Sequence, residues 1–292
     1  MLIPEEVRLL DELALGGFAP SDEALSAGVR RSRGRHAGHE FYEYRPYEAG
    51  DDLRRIDWTI EARLRQLVVR VARPETGARL HVLIDGSGSM AAGPSGKLAC
   101  ALRIAAALCW VAAHRRDASA ISVFSGSSIR HLGTVHGRQQ AFCLLETLAS
   151  TEAGGRSDID HALSAYARIA RGRGLVVVIS DFFDAQCRLD GVRALLGRGL
   201  APALVQVVAR DEIDPTIAGL TELRDIEDDT ATPLWVDETM VRAYRARVAA
   251  HTDWLRTFGH AHGVPWVQVE AAVPFRGLLA ALERTGLFLP YA

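Results

Sequence analysis

From residue 79 onward short apolar runs alternate with longer amphipathic ones, and this alternation constrains the fold more than any other feature of the chain. The runs RLHVLI (79–84), AISVF (120–124), SIRHL (128–132), LVVVIS (175–180), ALVQVV (203–208) and PWVQVE (265–270) have the length of strands, and most are rich in β-branched residues. Between and after them the apolar spacing predicts helices over 97–114, 139–149, 158–170, 188–196, 237–261 and 275–283. Parallel strands need crossover helices and are covered on both faces. The pattern therefore predicts an α/β fold with a doubly wound, mostly parallel sheet. Ligands of such sheets bind beyond the carboxyl ends of the strands, which locates the region to search.

Residues 1–78 break the alternation. They hold an amphipathic first helix, a Gly/Arg-rich stretch GVRRSRGRHAG, an aromatic strand EFYEYRPY, a helix over 51–64 and a strand LVVRVA. The expected division is thus an N-terminal α+β module, 1–78, and an α/β domain, 79–292, ending in a helix-strand-helix extension. The acidic stretch 211–229 carries eight acids against one base, Arg224, and reads as a solvated connector with a short edge strand.

Thirty-four basic and 36 acidic residues give a net charge of −2, too little for a positive field over the whole surface. Nucleic-acid binding would have to be local. Between Arg30 and Arg73 eleven arginines are interleaved with Phe41, Tyr42, Tyr44, Tyr47 and Trp58, a composition that could contact phosphates and stack on bases. Seven acids are mixed among them, and Asp51 and Asp52 ahead of Arg54 and Arg55 read better as helix capping with local ion pairs. The first residues carry acids where a secretory signal carries bases. The most apolar stretch, 98–113, is interrupted by Arg103 and is shorter than the roughly 20 residues a membrane span needs. Cys100, Cys109, Cys143 and Cys187 form no C-x-x-C pair, which suits reduced thiols in a cytoplasmic protein without a membrane span.

The strand HVLI runs directly into Asp85-Gly86-Ser87-Gly88-Ser89-Met90. Gly86, Gly88 and Ala91 fit G-x-G-x-x-A, but Asp85 would face a pyrophosphate and the next strand ends without an acid for a ribose. A phosphate loop fails, because Ala91 stands where its first glycine belongs and Leu98 follows Lys97. A nucleophile elbow fails as well, since neither Ser87 nor Ser89 has glycine two residues away on both sides. The remaining reading is an all-oxygen site for a hard cation such as Mg2+ or Mn2+. Other loops can complete it: Asp181 follows LVVVIS, and Ser157 lies in GGRSD ahead of a helix. The candidate metal residues are therefore Asp85, Ser87, Ser89, Ser157 and Asp181. His36 and His39 have no partners at zinc-site spacing.

The D-x-S-x-S turn, a hydroxyl in a second loop and an Asp after a central strand resemble the metal-ion-dependent adhesion site of von Willebrand factor type A domains, over roughly residues 78–210. That resemblance implies direct cation ligation by Ser87, Ser89 and the second-loop hydroxyl. It implies that Asp85 and Asp181 ligate directly or through water, leaving one position for a partner's carboxylate. The sequence departs from the pattern in carrying Ser157 where threonine is usual and Phe182 where glycine is common. Asp158 and Asp160 are possible substitutes for Ser157, although acids in a first helical turn also have a structural role.

A second resemblance rests on EFYEYRPYEAGDDLRRIDWTIEARLRQLVVR. It is similar to the signature E-F-x-x-x-R-x-Y-x-x-G-D-D-x-R-x-I-D-W-x-x-x-A-R of the bacterial "domain of unknown function 58" family, which joins this module to a von Willebrand A-like domain. Many members carry membrane helices ahead of the motif, and this sequence looks like the short type without them. The family implies a non-enzymatic adaptor partnered with a MoxR-type AAA+ ATPase or its clients in the assembly or activation of protein complexes. Two other functions stay open at this point. One is a metal-assisted hydrolase using Asp184, His161 or Asp160 as base. The other is nucleic-acid binding through Arg30, Arg31, Arg33 and Arg35.

Overall fold

A computed structural model describes residues 2–16, 42–47, 56–72, 79–91, 96–115, 117–137, 140–141, 147–148, 151, 153–170, 173–184, 186–224 and 230–290. In chain order the elements begin with α1 (Pro4–Asp11), β1 (Leu13–Leu15), β2 (Tyr42–Pro46), α2 (Trp58–Leu64) and β3 (Val68–Ala72). They continue with β4 (Arg79–Asp85), α3 (Gly88–Ala91), α4 (Lys97–His114), β5 (Ala118–Ser125), β6 (Ser128–His136), α5 (Ile159–Ile169) and β7 (Gly174–Ser180). Then follow α6 (Asp190–Gly197), β8 (Ala201–Val208), α7 (Arg210–Ile213), β9 (Gly219–Arg224), β10 (Ala231–Val236), α8 (Glu238–His262), β11 (Trp266–Glu270), α9 (Phe275–Arg284) and β12 (Phe288–Pro290).

Six strands form the central sheet in the order β11-β8-β7-β4-β5-β6, all parallel except β6, which runs antiparallel to β5. Strand side chains alternate between faces, and both faces are apolar. Leu80, Val82 and Ile84 of β4 with Val177 and Ile179 of β7 pack with α4 and α9 on one side. Leu83, Val176 and Val178 pack with α5, α6 and α8 on the other. This is the doubly wound α/β arrangement the alternation predicts. Because β4 continues outward through β5 and β6 while β7 continues the other way through β8 and β11, the topological switch falls between β4 and β7. Their carboxyl ends flank the crevice where such sheets bind ligands.

Helix α4 has mean hydropathy of 1.4 and enough length for a membrane span, yet 72% of it is buried in the protein. It is apolar all round because it lies between the sheet and other helices. Burial pushes its thiols Cys100 and Cys109 up to about 11 and about 12.

Two units can be distinguished, Met1–Ala19 with Ala78–Ala292, and Pro20–Gly77. The expected boundary at 78/79 therefore puts the first helix with the wrong unit. Helix α1 is fixed to α4 by an Arg103–Glu6 ion pair and by Trp110 Nε1 donating to Asp11 Oδ1 at 3.0 Å, while β1 pairs antiparallel with β12. In the smaller unit β2 and β3 form an antiparallel ribbon, and Asp57, buried, accepts from Ile60 N at the start of α2. Residues 51–55, expected in that helix, lie outside the described residues, as do Cys143, Arg30, Arg31, Arg33, Arg35, His36 and His39.

The acidic connector also differs from expectation. No edge strand of the central sheet forms from its described residues. They make the short helix α7 and strand β9, which pairs with β10 in a separate ribbon where Trp235 lies opposite Leu220 and both are largely exposed. The run SIRHL extends to His136 because its partner β5 continues alongside it.

Two predictions follow from the packing. A Cβ on Gly191 would stand 2.6 Å from Leu163 Cβ and 2.8 Å from Asp160 O, whereas one on Gly197, at the end of the same helix, meets nothing within 4 Å. Gly191→Ala is expected to lower unfolding free energy by about 1–3 kcal/mol and Gly197→Ala to raise it by about 0.5 kcal/mol, both read by urea denaturation. Iodoacetamide at mildly alkaline pH is expected to leave Cys100 and Cys109 unlabelled in the native protein and to modify both in concentrated guanidinium, as read by peptide mass spectrometry.

Candidate functional site

Asp85 ends β4 with no exposed surface. Its Oδ1 accepts from Ser87 N at 2.9 Å, and its Oδ2 accepts from Ser180 Oγ at 2.6 Å and, more weakly, from Ser157 Oγ at 3.4 Å. These donors are all neutral. Burial raises the Asp85 pKa above the usual carboxylate range, against the lowering effect of the hydrogen bonds from Ser180 and Ser87. The Ser87 and Ser89 hydroxyls are 3.1 Å apart.

The loop carrying Ser157 is fastened to this turn by backbone hydrogen bonds. Gly154 N donates to Gly86 O at 2.7 Å, Gly88 N to Gly155 O at 2.8 Å, and Gly126 N to Arg156 O at 2.6 Å. Gly86 also allows close approach to β5, since a Cβ there would lie 2.6 Å from Val123 Cγ1. Asp85, Ser87, Ser89 and Ser157 are thus brought together at the switch between β4 and β7.

Asp181 reaches the same edge from β7, but its carboxylate is engaged elsewhere. Oδ1 accepts from Phe183 N at 3.1 Å, and Oδ2 is paired with Lys97 Nζ at 2.8 Å. Lys97, the first residue of α4, has 1% of its surface exposed and is paired also with Glu212 of α7. Burial alone would lower its pKa, but the charges and hydrogen bonds of Asp181 and Glu212 outweigh this and raise it. Phe182, at the position where glycine is common, has φ +57°, the left-handed region that favours glycine, and its ring is wholly buried in the core against α5, α6 and α8. Core burial holds the aromatic residue in a conformation that the backbone alone disfavours.

The possible substitutes and bases have other work. Asp158 caps α5, accepting from His161 N at 3.0 Å. Both carboxylate oxygens of Asp160 accept backbone N–H groups, from Arg188 at 2.6 Å and Gly191 at 2.9 Å, joining α5 to the start of α6. Asp184 accepts from Gln186 N at 2.9 Å, and His161 is exposed.

Among the described residues no group of three or more His, Cys, Asp or Glu is placed to hold a metal. Any cation here would rely on hydroxyls. Three serine hydroxyls and a buried carboxylate that meets only neutral donors are a set of hard oxygens that could hold Mg2+ or Mn2+. Sequence reasoning missed Ser180, Lys97 and Glu212. The signal for Lys97 was present, since 33 of the 34 basic residues are arginine and Lys97 is the chain's only lysine.

The comparisons with known proteins give the family of the chain. A model described as "Protein of unknown function DUF58" matches residues 43–254. Uncharacterized protein Rv1480 of Mycobacterium tuberculosis (strain ATCC 25618 / H37Rv) is 28% identical over 226 residues, covering 75% of this chain and 71% of its own. Among solved structures, conserved hypothetical protein BatB from Bacteroides thetaiotaomicron aligns with TM-score 0.45 and 15% identity, over 72% of this chain and 98% of its own. A von Willebrand factor type A protein from Catenulispora acidiphila aligns with TM-score 0.38 and 14% identity, over 62% of this chain and 43% of its own. With the family model spanning most of the chain, the chain belongs to the DUF58 family, and its larger unit has a doubly wound α/β fold with a mostly parallel six-stranded sheet.

Proposed function

We propose that the chain is a non-enzymatic adaptor that captures a partner protein through a divalent cation, Mg2+ or Mn2+, held by Ser87, Ser89 and Ser157 with Asp85 and Asp181. The observation that carries this reading is the buried Asp85 carboxylate, which meets only neutral donors beside two adjacent hydroxyls at the switch point of the sheet. A bound dication would supply an electrophilic position for an Asp or Glu side chain of the partner. The protein's own residues do the rest. Asp85 offsets the cation's charge, the serine hydroxyls supply neutral oxygens, and Ser180 orients Asp85 from the adjacent strand. A carboxylate oxygen is a hard ligand of the kind such a cation accepts beside hydroxyls and water.

The family resemblance supports a MoxR-type AAA+ ATPase or one of its clients as the partner, met in the reducing cytoplasm. A hydrolase gains no support from the positions of Asp160, Asp184 and His161. Asp160 spends both oxygens on backbone N–H groups, Asp184 accepts from Gln186 N, and His161 is exposed.

Two measurements test the reading. Mg2+ at about 100 times its dissociation constant is expected to stabilise the folded protein by about 2.7 kcal/mol, and Asp85→Ala to remove that gain while remaining folded. Tagged protein incubated with lysate of its own host is expected to retain an AAA+ ATPase or a client in Mg2+ and to lose it in EDTA and in Asp85→Ala. Retention indifferent to both EDTA and the substitution would move the interaction to another surface.

A further inference from the structure

Lys97 is the one lysine in a chain that otherwise uses arginine for every basic position, and it lies almost wholly inside the protein. An arginine fork would demand more hydrogen-bond partners in a fixed plane, whereas an ammonium is a compact point charge on a flexible stem. Here that charge is shared by two carboxylates. One belongs to Asp181, beside the candidate cation site, and the other to Glu212 on α7. Glu212 also accepts from Ala209 N at 2.8 Å at the start of α7, and its own carbonyl accepts from Tyr244 Oη at 2.9 Å on α8. A continuous set of polar contacts therefore runs from Asp181 through Lys97 to α7 and α8.

Charge balance gives this set a direction. With Asp85 ionised, Asp85, Asp181 and Glu212 carry two more negative charges than Lys97 offsets, the charge of one divalent cation. A dication approaching Asp181 repels the ammonium and competes with it for the same carboxylate, and Glu212 is already in place to receive the ammonium in full.

We propose that Lys97 is a movable internal counter-ion, shared between Asp181 and Glu212, that couples occupancy of the candidate cation site to α7. The inference rests on the cation-binding reading above. It makes Glu212 a residue that sets cation affinity without ligating the cation, and by linkage the cation must alter the surroundings of Glu212 to the same degree.

The single lysine makes the test direct. Full-length protein labelled only with [15Nζ]lysine gives one side-chain ammonium resonance, followed while Mg2+ is added, and Mn2+ affinity is measured by calorimetry for wild type, Lys97→Met, Lys97→Arg and Glu212→Gln. The inference expects the ammonium resonance to move on Mg2+ addition. It expects Lys97→Met to bind Mn2+ about tenfold tighter, Glu212→Gln about tenfold weaker, and the charge-preserving Lys97→Arg within about threefold of wild type. If Lys97→Met does not fold, the resonance and Glu212→Gln decide the matter.

Wild type that binds Mn2+ with an unmoved ammonium resonance and unchanged affinity in the variants would overturn the inference and leave the adaptor reading standing. A cation bound by Lys97→Met and refused by wild type would make Lys97 a fixed counter-ion in the cation's place and overturn both the movable counter-ion and the adaptor reading. Absence of binding in every form would overturn both.

Discussion

A carboxylate buried at the head of the central strand is the feature on which the rest of the site depends. Moving an ionised carboxylate out of water costs several kcal/mol even after relaxation, and polar groups around it must offset that cost. Around Asp85 the offset comes from three different segments: its own turn through Ser87 N, the neighbouring strand through Ser180, and the second loop through Ser157. Each hydrogen bond holds one segment against the others. The turn, the loop over 153–157 and the end of β7 are thereby fixed as one constellation.

The sheet makes this possible. Strand β4 is paired on one side with β5 and on the other with β7, and the chain leaves it in opposite directions on the two sides. That reversal opens a crevice at the carboxyl ends, and apolar packing on both faces keeps the strand ends in register. Lys97 enters the same crevice from α4 and meets Asp181, so a second buried carboxylate is offset by a full charge where Asp85 is offset by dipoles. The contrast between the two aspartates underlies both the proposed cation site and its coupling to α7.

Much of this was legible in the sequence, for identifiable reasons. The doubly wound sheet follows from strands buried on both faces, which read as unbroken apolar runs such as LVVVIS. Asp85, Ser87 and Ser89 could be found because a strand feeds directly into them, and Ser157 because it closes a glycine-rich turn before a helix. Lys97 stood out as the single lysine, but its pairing with Asp181 and Glu212, and the bond from Ser180 to Asp85, could not be read, because these contacts span 84, 115 and 95 residues. The three-residue strand β1 is too short for periodicity to reveal, so its pairing with β12 and the docking of α1 were invisible. The β9–β10 ribbon was hidden by charge. A run dominated by acids reads as solvated chain, although Leu220 and Trp235 pair across it.

The central claim is that Ser87, Ser89 and Ser157, with the Asp85 carboxylate behind them, surround a divalent cation. Crystals of the full-length protein grown with Mn2+ and measured at the manganese absorption edge test it most directly. The account predicts one strong anomalous peak among those three hydroxyls, at about 2.0–2.2 Å from each ligating oxygen. No peak there at saturating Mn2+, with Ser157 still bonded to Asp85 and Lys97 still paired with Asp181, would contradict it.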